Sequence, residues 1–141
     1  MTTDERSDEK LGPIRGRRRD GWLGIVLGTP DPRGLARFYE RLLGWPISTE
    51  ADDWVTMQVR DLPVNLAFQL EENHVPPVWP GGPGDQQMQL HLDIAVEDLA
   101  AAVADAQQLG ATVADFQPQD DVRVLSDPAG HPFCLYVDRG E

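Results

Sequence analysis

Few side chains in this sequence can do chemistry, and most of them fall in short extended stretches. His91 and Asp93 stand two apart in residues 89–96 (QLHLDIAV). On a strand that spacing puts both on one face, where a carboxylate could hold an imidazole tautomer and tune its proton affinity for general-base work. The plainer alternative is a strand histidine hydrogen-bonded within a polar pocket. Residues 132–137 (PFCLYV) likewise put Cys134 and Tyr136 on a common face. Cys134 is the only cysteine and carries no nucleophile signature, so it reads as a small thiol lining a wall, and no residue is assigned a catalytic role. Trp54, Gln69 and Trp79 add two aromatic surfaces and an amide, which suit orientation and stacking of an organic ligand. His74 and His131 read as surface residues.

The elements that must carry these side chains repeat. Residues 22–28 form an apolar run that feeds a helix capped by Asp31, with Pro32 at its first turn and Leu35, Phe38, Tyr39, Leu42 and Leu43 on one face, stopped by Gly44. Extended pieces follow at 45–49, 54–59 and 64–70. Residues 71–88, with four prolines and three glycines, read as a connector. The order then starts again: a strand at 89–96, a helix carrying Leu99, Ala102, Val103, Ala106 and Leu109 and stopped by Gly110, and extended pieces at 111–116, 122–126 and 132–137.

The two passes stand 65 to 67 residues apart, with Asp31 answering Asp98, Leu43-Gly44 answering Leu109-Gly110 and Phe68 answering Phe133. Each unit alone would leave a sheet face bare. The expected fold is therefore α+β: two βαβββ modules (21–70 and 89–138) forming a curved eight-stranded mixed sheet, a cup, backed by two helices. Strand alternation places Leu66, Phe68, Leu92, Ile94, Phe133 and Leu135 beneath the helices. The opposite, concave face then receives Trp54, Gln69, His91, Asp93, Cys134 and Tyr136, with Trp79 as a lid or as an anchor for the connector. The parity of 122–126 stays open.

Charge and composition narrow the partners. The chain of 141 residues has a net charge of −12, and residues 21–141 carry 6 basic and 19 acidic side chains, or −13. Such a field repels nucleic-acid phosphates and anionic lipid and favours neutral or cationic ligands. No apolar run approaches the roughly 18 residues of a membrane helix, and residues 1–20 lack a secretory apolar stretch, so a cytoplasmic protein is expected, with 1–20 as a disordered tail and 21–141 as one domain.

Thr29-Pro30-Asp31, Phe38-Tyr39, Leu43-Gly44 and Asp127-Pro128-Ala129-Gly130-His131-Pro132-Phe133 resemble the vicinal oxygen chelate superfamily, which includes glyoxalase I, bleomycin-resistance proteins and extradiol dioxygenases. Phe68-Gln69, Pro76-Pro77-Val78-Trp79-Pro80 and His91-Leu92-Asp93 resemble its glyoxalase-like branch. The resemblance implies up to four ligands for a divalent metal, one near the start of each module's first strand and one in each last strand, at Gly24, Gln69, His91 and Cys134. Gly24 has no ligand atom, so a family-type metal centre is expected to be incomplete. The implied function is a small-molecule-binding protein with no cofactor. The alternative is a metal-dependent lyase, isomerase or dioxygenase holding a divalent ion. The resemblance further implies a homodimer, with modules paired within one chain or exchanged between two.

Overall fold

A computed structural model describes residues 23–138 and Arg15. Apart from Arg15, the expected disordered tail lies outside the described residues. The first module runs β1 (Leu23–Thr29), α1 (Pro32–Leu43), β2 (Ile47–Glu50), β3 (Trp54–Gln58) and β4 (Val64–Leu70). The second runs β5 (Leu92–Val96), α2 (Leu99–Leu109), β6 (Thr112–Val113), β7 (Val122–Ser126) and β8 (Pro132–Val137).

Both helices begin and end as their residues dictate. Asp31 accepts from the Gly34 N–H and Asp98 from the Ala101 N–H, and each helix ends on a left-handed glycine, Gly44 at φ 76° and Gly110 at φ 119°. On the outer face of α1, Arg33 pairs with Glu50 and Asp52, and Arg37 with Glu40 and Glu50, tying β2 to the helix.

The eight strands divide into two four-stranded mixed sheets, ordered β1-β4-β3-β2 and β5-β8-β7-β6. In each, the first strand runs parallel to the last and lies at an edge, while the other pairings are antiparallel. The two parallel ladders align with one constant offset of 67: Ile25 opposes Leu66, and Leu92 opposes Phe133. In strand register Cys134 therefore answers Ala67, and Tyr136 answers Gln69.

Four strands are shorter than the sequence pattern predicts, β3 by the single residue Val59. β2 starts at Ile47, beyond Pro46, and β5 starts at Leu92, because its partner strand starts at Pro132, which has no N–H to extend the ladder. β6 stops at Val113 because the Gln117 side chain replaces it. The Gln117 amide donates to the Ala114 and Val124 carbonyls at 2.8 and 2.9 Å and accepts from the Val124 N–H at 2.9 Å. Residues 115–116 are thereby pushed outward. β7's parity is settled by pairing: Leu125 opposes Phe133 under the helices, and Val122 and Val124 oppose Tyr136 and Cys134 on the other face.

A single core joins the modules. Phe38 and Tyr39 of α1 pack edge-on to Phe133 of β8, and Tyr39 stacks on Phe68 of β4 at 5.8 Å. The Tyr39 hydroxyl, with the whole side chain buried, donates to Asp127 Oδ2 at 2.7 Å. Asp127 Oδ1 in turn accepts from the Ala129 and His131 N–H groups, closing the turn between β7 and β8.

Burial, then the Asp127 charge and hydrogen bond, push the Tyr39 phenol well above its usual range. The folded chain thus favours neutral Tyr39. Its contribution is full below pH ~10, where an unfolded tyrosine titrates, and is lost as pH rises beyond that. Urea denaturation of Tyr39→Phe is expected to show a loss of about 1–3 kcal/mol at pH 7 and a shallower decline in stability above pH 10 than the parent protein. Equal stabilities at pH 7 would contradict this role.

Candidate functional site

The seven candidate residues fall in three places. Asp93 opposes Cys134 and Ala95 opposes Tyr136 across the β5/β8 ladder, and His91 precedes β5 on the same face as Asp93. These four, His91, Asp93, Cys134 and Tyr136, line a cavity of about 320 Å³ with Gln119, Asp121, Val122 and Val137. Trp54 and Gln69 are direct partners across β3 and β4, on the corresponding face of the first sheet, and do not line that cavity. Trp79 is neither free nor over the cavity. Its ring packs at 5.5 Å on Phe116, which the Gln117 substitution of β6 has turned outward, so Trp79 anchors the connector to the second module.

Within the cavity the polar groups are close. His91 Nε2 lies 3.2 Å from Asp93 Oδ1. The histidine, carboxylate and thiol ligand atoms of His91, Asp93 and Cys134 all lie within 4.8 Å of one another. Partial burial, followed by the Asp93 charge and hydrogen bond, pushes the Cys134 thiol up to about 11. Without a cation beside it Cys134 is a neutral thiol at neutral pH, which removes it as an unassisted nucleophile.

Sequence reasoning missed the far wall. Gln119 and Asp121 come from the approach to β7 and Val122 from its first position, in a strand whose parity could not be read from its own residues, and Asp121 is held there because its carbonyl accepts from the Val137 N–H. Glu71 was also missed. Its carboxylate accepts from Gln69 Nε2 at 2.9 Å, and its Cγ would stand 2.9 Å from a Cβ placed on Gly28. The glycine of β1 thus leaves space for an acidic side chain beside Gln69. His74 and His131, expected at the surface, are half-buried: their rings lie 5.0 Å apart, with Nε2 atoms bonded to the carbonyls of Ala129 and Gly28. They clasp the connector and the module junction.

The four corners of a family-type metal centre do not fit this chain. Of the four expected positions, Gly24 offers no donor, and a Cβ there would meet nothing within 4 Å, while the Gln69 amide is engaged in donating to Glu71. The donors are concentrated in the second module.

Residues 24–136 match the family model described as a glyoxalase-like domain. The chain belongs to that family. No curated protein matches the sequence. Among solved structures, this glyoxalase-like chain is similar to a glyoxalase/bleomycin resistance protein/dioxygenase family enzyme from Burkholderia phytofirmans, with TM-score 0.60, 15% identity, 79% of this chain covered and 94% of the other. It is also similar to a glyoxalase-related enzyme from Fulvimarina pelagi, with TM-score 0.59, 21% identity and coverage of 82% and 86%. A third likeness is to the bleomycin-binding protein of Streptomyces verticillus complexed with copper(II)-bleomycin, with TM-score 0.52, 16% identity and coverage of 84% and 96%. These likenesses show a shared fold. No helix among the described residues is long and apolar enough to cross a membrane.

The cavity wall depends on Gln117. Replacing Gln117 with Ala leaves the Val124 N–H and C=O without these partners, and hydrogen exchange at the Val124 amide is expected to quicken about tenfold or more, with a stability loss of about 1–3 kcal/mol. Unchanged exchange at Val124 would rule out the side chain as a substitute strand.

Proposed function

We propose that this glyoxalase-like protein binds a small organic ligand, neutral or cationic, in a cup completed by a second copy of the chain. The observation that carries the reading is the cavity on the second sheet, which Asp93, Asp121, Tyr136 and His91 line together. Two carboxylates with an aromatic ring suit a cationic or polar aromatic group, and the chain's charge of −12 favours the same sign at long range.

The pairing of two copies rests on the sheet edges. β1 and β5 lie at the edges of separate sheets, and each edge carries exposed apolar side chains: Leu23 is 57% exposed, Val26 43% and Leu90, beside β5, 40%. Side by side across two chains, these edges would cover one another and bring Trp54 and Gln69 of one copy over His91 and Asp93 of the other. A homodimer with two such cups follows. The similarity to a bleomycin-binding protein supports an organic ligand of this general kind. A lone thiol with no disulfide partner suits a cytoplasmic setting.

Isothermal titration against a panel of cationic aromatic compounds that includes bleomycin is expected to give saturable binding. Trp54→Ala and Asp121→Asn should each weaken it by about tenfold or more. Absence of heat across the panel sinks the ligand reading, and a monomeric mass in solution sinks the shared cup.

A further inference from the structure

We propose that His74 and His131 form an acid-released clasp on the connector (residues 71–88), closed while at most one of the two imidazoles is charged and opened when both are. The device sits at the junction of the modules, away from the cavity, and stands whether or not that cavity takes an organic ligand.

The connector crosses the β7/β8 turn in close contact. His74 Nε2 lies 2.8 Å from the Ala129 carbonyl oxygen, and Pro76 covers Gly130 so tightly that a Cβ there would stand 2.6 Å from the proline Cβ. From the same turn His131 reaches back to β1, its Nε2 2.7 Å from the Gly28 carbonyl oxygen. The two half-buried rings are 5.0 Å apart. Farther along the connector Trp79 rests on Phe116, next to Gln117 at the root of the cavity wall.

A carbonyl oxygen only accepts, so each Nε2 carries a hydrogen and each neutral ring keeps Nδ1 for one more proton. The Asp127 carboxylate, in the turn beside His131, makes a first charge there acceptable. A second, on His74, meets a like charge at 5.0 Å with partial shelter from water, which opposes it on the order of tenfold. The other acidic groups nearby give little relief. Glu71 is bonded by the Gln69 amide, Asp85 accepts from the Gly82 N–H, Glu72 is exposed, and β1 from Leu23 to Thr29 has no titratable side chain. Separating the rings removes the repulsion, and the connector is the part that moves, because the His131 N–H is fixed on Asp127. The clasp therefore holds at neutral pH and is lost as pH falls through the range in which imidazoles become charged.

Hydrogen exchange in the full chain tests this, with the His74 N–H on the Glu71 carbonyl and the Val78 N–H on the Gln86 carbonyl as reporters of the connector, and the Val59 N–H on the Val64 carbonyl as a reference. Lowering the pH from about 7.5 to about 5 is expected to cut the protection factors of His74 and Val78 about tenfold or more and to leave that of Val59 unchanged. His74→Gln and His131→Gln each keep an N–H donor and leave a single chargeable ring, so each should abolish the drop at Val78. Circular dichroism at neutral pH checks that both variants are folded, and either one alone suffices for the comparison. An undiminished Val78 protection factor in the parent chain at about pH 5 overturns the clasp. So does a drop that persists in His74→Gln or His131→Gln, which would assign the acid response to Asp127.

Discussion

The hydrogen bond between the buried Tyr39 hydroxyl and Asp127 holds the two halves of this molecule in their mutual position. Tyr39 belongs to the first module's helix, and Asp127 to the turn that launches the second module's last strand. With its other oxygen Asp127 accepts from the Ala129 and His131 N–H groups, so one carboxylate both shapes the β7/β8 turn and receives the first module's anchor. Burial pushes that carboxyl upward while the Tyr39 hydroxyl, the His131 charge and the backbone N–H groups pull it down. A buried polar group kept by so many partners tolerates the loss of none of them well. Because Cys134 lies seven residues beyond Asp127, the turn also sets where the thiol stands on β8.

Helix α1 joins the modules by packing Phe38 and Tyr39 against Phe133 of β8, and each sheet's polar face is directed away from this shared core. Trp54, Gln69 and Glu71 gather on the first face, and His91, Asp93, Cys134 and Tyr136 on the second. The chemistry is unevenly shared between them. At the register positions where the second module has a histidine and a thiol, the first has Gly24 and Ala67, which carry no donor. A duplicated backbone has thus acquired two faces of different character, one able to stack and hydrogen-bond, the other rich in titratable groups.

Side chains standing in for backbone account for the cavity's far wall. Gln117 ends β6 after Val113 by taking over three hydrogen bonds around Ala114 and Val124, and the chain released by that substitution turns Phe116 onto Trp79 and brings Gln119 and Asp121 over the sheet. The wall and the connector's anchor are consequences of the same amide. The connector is further clasped by His74 on Ala129, beside His131 on Gly28, at the junction of the modules.

Helix limits, both βαβββ units, the inward residues of β3, β4 and β8, and the sharing of one face by His91 and Asp93 and of another by Cys134 and Tyr136 could all be read from the chain alone. Capping residues, left-handed glycines and period-two alternation are local signals, and the sequence by itself determined everything that rests on them. It also determined that Gly24 offers no ligand atom. Tertiary structure decided the rest, because the rest depends on contacts distant in sequence. Only the ladders show that Ala67 and Cys134 hold the same register position in their two sheets, since register is set by strand pairing. The meeting of His91, Asp93 and Cys134 with Asp121, the docking of Trp79 on Phe116 and the division of eight strands into two sheets were likewise decided by contacts between distant segments, which no local pattern records.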